Sequence, residues 1–199
     1  MSSPRTEARV KSRSAKQKVQ RLFFALWPDE AARKQLKQCQ ESQPYKQSLL
    51  DNPGSRAVFP GNFHITLAFL GNVDASQKAC VVQIANGIQC PSFNFTLNRA
   101  SHWLKPRIIV AGPDEMPKAL VTLATHLRDG AIECGVEMDM RPYNAHVTLM
   151  RKIVKAPEGL TINPLTWIAR RFVLIESTSR PEGVRYEVIQ EWPLVDSGE

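Results

Sequence analysis

Apolar positions along this chain of 199 residues fall into runs with the period of a strand and runs with the period of a helix. "QRLFFALWP", closed by Pro28, predicts a strand. Asp29 then opens "DEAARKQLKQCQ", a polar helix with acids in its first turn and Leu36 and Cys39 available for burial. Residues 41–61, punctuated by Pro44, Pro53, Gly54 and Pro60, predict a loop. "NFHITLAFLG" is a strand ended by Gly71, and Asp74 or Ser76 can cap the helix "ASQKACVVQIANGI". In that helix Cys80, Val81, Ile84, Ala85 and Ile88 recur at helical spacing. "FNFTLN" and "RIIVAGP" follow as strands, with His102 between them in a connecting loop. Residues 117–133 predict an amphipathic helix containing His126, with Pro117 near its first turn, and "AHVTLMRK" a strand over 145–152. "ARRFVLIES" and "VRYEVIQEWPL" are two strands joined by the turn signal "SRPEG". Helices alternating with hairpin-like strand pairs predict a mixed α/β (α+β) fold rather than a parallel wound sheet.

The pattern also repeats. Pro60-Gly-Asn62-Phe-His64-Ile-Thr66-Leu67 matches Pro142-Tyr-Asn144-Ala-His146-Val-Thr148-Leu149 at five of eight positions, with Ile against Val at a sixth. Each copy opens a strand, and the two copies hold two of the four histidines. This predicts two related, pseudo-symmetric lobes, each a mostly antiparallel sheet with helices outside, sharing a cleft.

Strand alternation gives the repeat its chemistry. His64 and Thr66 project to one face while Phe63, Ile65, Leu67 and Phe69 project to the other. His146 and Thr148 likewise oppose Val147 and Leu149. Two such faces brought together frame a site with two imidazoles and two hydroxyls. Displacement at phosphorus needs one proton removed and another delivered, and imidazole, with an ordinary pKa of about 6.5, serves both steps near neutral pH. Threonine hydroxyls can donate to the non-bridging phosphate oxygens. A zinc site would need a third ligand, and neither motif carries an H-x-x-x-H, a C-x-x-C or an adjacent carboxylate. No metal is expected, and without a G-x-x-x-x-G-K-[ST] or a G-x-G-x-x-G no nucleotide cofactor either.

Composition adds bounds. With 43% hydrophobic and 23% charged residues the chain has the make-up of a globular protein, and no apolar run reaches the roughly 18 residues of a membrane helix. Of the net charge of +7, residues 1–20 account for +5, with six basic residues against Glu7. These residues read as a disordered tail that either adds attraction for phosphates or serves as a solubilising or organelle-targeting leader. The body, residues 21–199, carries +2, too little for broad single-strand binding. Cys39, Cys80, Cys90 and Cys134 show no C-x-x-C pair and no metal-type spacing, and read as buried small apolar side chains in a reducing compartment, the cytoplasm.

At "RLFFAL", "NFHITLAFLG", "WLKPRIIVAG" and "RPYNAHVTLMR" the chain resembles the two-histidine phosphoesterase superfamily, defined by paired His-x-Thr-x motifs. Within it the likeness is to the bacterial and archaeal RNA 2′,3′-cyclic phosphodiesterases, historically called 2′-5′ RNA ligases. The resemblance implies one bilobal domain over residues 21–199 that acts on RNA ends or cyclic nucleotides. Its reaction would be metal-independent hydrolysis of a 2′,3′-cyclic phosphate to a 2′-phosphate. It also implies His64 as proton donor and His146 as proton acceptor; the residues alone do not break that symmetry. Arg151 matches a phosphate-contacting arginine, yet strict alternation turns it away from His146. The strand must end or bulge by Met150, or Arg151 is a solvated strand-end charge. Phe23, and beside the second motif Tyr143, are candidates to stack on a base, or else belong to the core. Reversible ATP-independent 2′-5′ joining at the same site, or a module that only grips RNA ends, are the alternatives. A monomer is expected.

Overall fold

The structure, a computed structural model, describes residues 19–181 and 183–195; the basic tail through residue 18 lies outside them. Strand β1 (Gln20–Leu26) leads into α1 (Glu30–Gln40), α2 (Gln43–Asp51) and the short β2 (Arg56–Ala57). The first-motif strand β3 (Ile65–Val73) is followed by α3 (Ala75–Asn86), β4 (Phe93–Leu97), β5 (Arg99–Trp103), β6 (Ile108–Gly112) and α4 (Lys118–Glu133). The second-motif strand β7 (Val147–Arg151) precedes β8 (Leu165–Ala169), β9 (Arg171–Arg180) and β10 (Gly183–Pro193).

Eight strands make one sheet in the order β10-β9-β1-β3-β7-β6-β5, with β2 added to β7, while β4 and β8 pair separately. The two halves meet where β3 and β7 are joined by a single antiparallel residue pair, Ile65 with Val147. Both side chains are fully buried, so this seam is anchored from below by apolar contact as well as by backbone pairing.

Local chemistry explains the elements. Asp29 caps α1 by accepting from the Ala32 backbone N–H at 2.8 Å, and Asp74 with Gln77 builds a capping box at α3. β1 is buried on both faces: Leu22, Phe24 and Leu26 enter the main core, while Phe23 and Ala25 pack with Val173 and Ile175 of β9.

Four expectations need correction. Residues 43–51 form α2 rather than a loop: Pro44 fits the first turn, and the helix is pinned by buried Tyr45, whose hydroxyl donates to the Thr161 carbonyl at 3.0 Å. His102 lies in β5, where Nε2 donates to the Ile153 carbonyl at 3.0 Å. β2 and β8 are further strands that the sequence pattern did not isolate. Cys80 and Cys134 are joined by a disulfide, Cα atoms 5.7 Å apart, because α3 and α4 pack side by side; only Cys90 of the four cysteines is buried.

That cystine closes a long loop, a sequence separation of 54 residues. The Cys80→Ser variant is expected to be less stable by about 2–4 kcal/mol in urea unfolding under non-reducing conditions. Added thiol should bring the wild type to the same midpoint.

Candidate active site

Because Ile65 and Val147 face the core, their neighbours face away from it. Extending the antiparallel register by one residue each way sets His64 opposite Thr148 and Thr66 opposite His146. All four side chains line one cleft of about 1010 Å³. The arrangement is pseudo-twofold about the seam.

The rings are oriented alike. His64 Nδ1 lies 2.7 Å from the Asn62 carbonyl, and His146 Nδ1 lies 2.8 Å from the Asn144 carbonyl. A carbonyl can only accept, so each Nδ1–H donates and Nε2 is left to the cleft. In the neutral ring that Nε2 can take a proton; in the charged ring it can give one.

Their surroundings differ. His64 sits among three aromatic rings, with centroids of Phe23 at 4.9 Å, Tyr186 at 5.2 Å and Trp27 at 6.1 Å. His146 has Trp103 at 4.4 Å. Burial pushes the His64 pKa down to about 4; the Asn62 carbonyl opposes this, while the charges of Arg151 and His146 add to it. His146 is lowered too, first by burial and then by Arg151, against the pull of the Asn144 carbonyl.

Arg151 lines the cleft, and a β-bulge puts it there. Val110 pairs with Thr148 and Ile109 with Met150, so Leu149 is an extra residue in β7. Leu149 and Met150 are consecutively buried, the parity of the strand inverts, and Arg151 joins the face of His146 and Thr148. β3 does the same. Phe24 pairs with Ala68 and Ala25 with Thr66, leaving Leu67 as the extra residue. Phe69, expected on the core face, therefore turns out, stands 45% exposed and lines the cleft.

Phe23 lines the same cleft but is only 3% exposed, its ring engaged by His64 and Tyr186, which leaves no free face for a base. Tyr143 is not brought into the cleft: its ring packs on the main core, and its hydroxyl donates to the Thr66 carbonyl at 3.1 Å. Tyr143 thus ties the loop before the second motif to the first-motif strand across the seam.

Several cleft residues had no signal in the motifs. Arg21, Arg56, Lys105 and Arg141 line it with Arg151, and among the described residues no carboxylate does. Arg141 is paired with Asp139, and the Arg21 guanidinium lies 4.8 Å from the centre of the Phe69 ring. The body's small net charge conceals this concentration of cations. Among the described residues no cluster of three His, Cys, Asp or Glu side chains is placed to hold a metal ion.

Two imidazole–hydroxyl pairs side by side on the adjoining strands of pseudo-symmetric halves, lining one cleft, define a two-histidine phosphoesterase. Comparison with known proteins agrees. A family model described as LigT-like phosphoesterase matches residues 26–110. The RNA 2′,3′-cyclic phosphodiesterase of Escherichia coli strain K12 is 32% identical over 179 residues, covering 88% of this chain and 97% of the relative. The crystal structure of E. coli LigT complexed with 3′-AMP superposes with a TM-score of 0.76 at 32% identity, over 89% of this chain and 99% of that one. A crystal structure described as a phosphoesterase reaches a TM-score of 0.83 at 29% identity, over 90% of this chain and all of that one. The chain belongs to the LigT-like phosphoesterase family.

The depressed His64 pKa has a stability consequence. In the unfolded chain the ring charges below about 6.5, whereas in the folded protein it resists charging until about 4. Its contribution is therefore intact above pH 6.5 and is lost as pH falls across that window. Relative to His64→Gln, the wild type is expected to lose about 3 kcal/mol between those limits, measured by urea unfolding at each pH.

Proposed function

We propose that the protein hydrolyses 2′,3′-cyclic phosphates at RNA ends to 2′-phosphates, without a metal ion, using His64 and His146 as a general acid–base pair. The observation that carries this reading is the pair of Nε2 atoms, each freed by its Nδ1 hydrogen bond, facing a cleft lined among the described residues by five cations and no carboxylate. Such a lining favours a phosphate and offers no cluster of hard oxygen ligands for a divalent ion. The E. coli relative of known structure, crystallised with 3′-AMP, lends support for a nucleotide phosphate as the occupant.

In this reaction water attacks phosphorus, the new P–O bond forms as the P–O3′ bond breaks, and the products are a 2′-phosphate and a free 3′-hydroxyl. His146 Nε2 takes the proton from water, and His64 Nε2–H delivers one to the departing O3′, the order of roles that the family likeness implies. Thr66 and Thr148 donate to the non-bridging oxygens, and Arg151 neutralises the charge that builds on them. The bound phosphate raises both imidazole pKa values, so His64, neutral in the empty cleft at pH 7, gains its proton as substrate binds. The protein acts as a monomer in the cytoplasm.

His64→Ala and His146→Ala are each expected to lower turnover of a 2′,3′-cyclic nucleotide by at least about 10²-fold, while EDTA leaves the wild-type rate unchanged. The kcat/KM profile should be a bell centred on the acid side of the ordinary imidazole value, about 6.5, because both free-enzyme pKa values are depressed. Near wild-type turnover by either alanine variant would overturn the acid–base pair. Longer RNA formed from cyclic-phosphate and 5′-hydroxyl ends without ATP would mark joining, and nucleotide binding without turnover would mark a gripping module.

A further inference from the structure

Among the described residues three polar side chains are buried, Gln40, Ser48 and Asn52. None lines the cleft, yet two of them reach the backbone on either side of Arg151.

Gln40, the last residue of α1, meets the bulge. An extra residue in a strand leaves backbone groups without their ladder partners, and a buried orphan is costly. The carbonyl of Leu149, the extra residue, accepts from the Val58 N–H at 2.8 Å and from Gln40 Nε2 at 2.7 Å. The second N–H of the same Nε2 reaches the Val58 carbonyl at 2.9 Å. Gln40 therefore closes the gap between β7 and the segment following β2 at the point where the strand changes parity.

Asn52, just after α2, holds the far side. Beyond Arg151 the chain turns sharply through Lys152, a lysine with φ of +62°, a region that side chains seldom adopt without support. Asn52 Oδ1 accepts from the Val154 N–H at 2.7 Å and the Lys155 N–H at 2.8 Å, while Nδ2 donates to the Lys155 carbonyl at 3.1 Å and the Ser48 carbonyl at 2.9 Å. A bulge on one side and a left-handed turn on the other are both fixed by side chains from the α1–α2 segment.

We infer that Gln40 and Asn52 are positioning residues for Arg151, holding its guanidinium in the cleft for the phosphate without touching substrate themselves. This rests on the phosphate-binding role proposed for Arg151. Neither residue is part of a His-x-Thr motif.

The experiment is a pair of double-mutant cycles. Gln40→Met, which keeps length and loses both donors, and Asn52→Ala are each made in the wild-type and Arg151→Ala backgrounds. Two quantities are measured: kcat/KM for a 2′,3′-cyclic nucleotide, and affinity for inorganic phosphate by titration calorimetry. In the wild-type background each variant should weaken phosphate binding and kcat/KM by about tenfold or more. In the Arg151→Ala background the same changes should move either quantity less than about twofold, the non-additivity of residues acting through one group. The acid limb of the pH profile should also shift upward, as in Arg151→Ala, because a displaced guanidinium no longer opposes charging of the histidines. If Gln40→Met does not fold, the Asn52→Ala cycle carries the test. Folded variants with wild-type phosphate affinity, or losses that add in full to that of Arg151→Ala, overturn the inference. Phosphate affinity that depends on Arg151 without turnover of the cyclic nucleotide would instead sink the hydrolase reading and leave this one standing.

Discussion

The site depends on one backbone contact, the antiparallel pairing of Ile65 with Val147. Both side chains point into the core, and this fixes the direction of every neighbour: two imidazoles and two hydroxyls emerge together on the opposite face. A slip of one residue at this seam would exchange the faces, sending the histidines into the apolar interior. Tyr143 adds a bond across the same seam, from its hydroxyl to the Thr66 carbonyl. A single residue pair suffices because both strands are otherwise held by their own lobes, β3 by β1 and β7 by β6.

Pseudo-symmetry extends further than the motifs. Leu67 and Leu149, equivalent in the repeat, are both extra residues, and each inverts the parity of the strand beyond it. The residues turned outward are Phe69 in one half and Arg151 in the other. One framework thus presents an aromatic ring and a guanidinium at matching places, and the two rims of the cleft differ in chemistry while sharing a backbone. The histidines differ in the same way, one boxed by three rings and the other leaning on Trp103.

Much of this was legible in the amino-acid sequence, and what was not has physical causes. The repeat marked His64, Thr66, His146 and Thr148 because alternation holds at the start of each strand, before either bulge. It failed at Phe69, because a bulge is a property of pairing and not of the strand's own pattern. For Arg151 the sequence stated the condition without deciding it. α2 was hidden by Pro44, read as a breaker though it sits in the first turn, where its missing N–H costs nothing. The cleft's cations come from strands and loops far apart in sequence, so the total charge of the body concealed their concentration. The disulfide depends on the side-by-side packing of α3 and α4, which cysteine spacing does not report.

A seam one residue pair wide is mechanically a pivot: alone, it constrains translation far better than rotation. The cystine joins α3 to α4, and α4 packs on β3, so the covalent link stiffens the first-motif half and adds no tie across the pivot. Rotation about it is opposed by the Tyr143 bond to Thr66 and by the single apolar core the two halves share, and the redox state of the cystine leaves that hinge untouched.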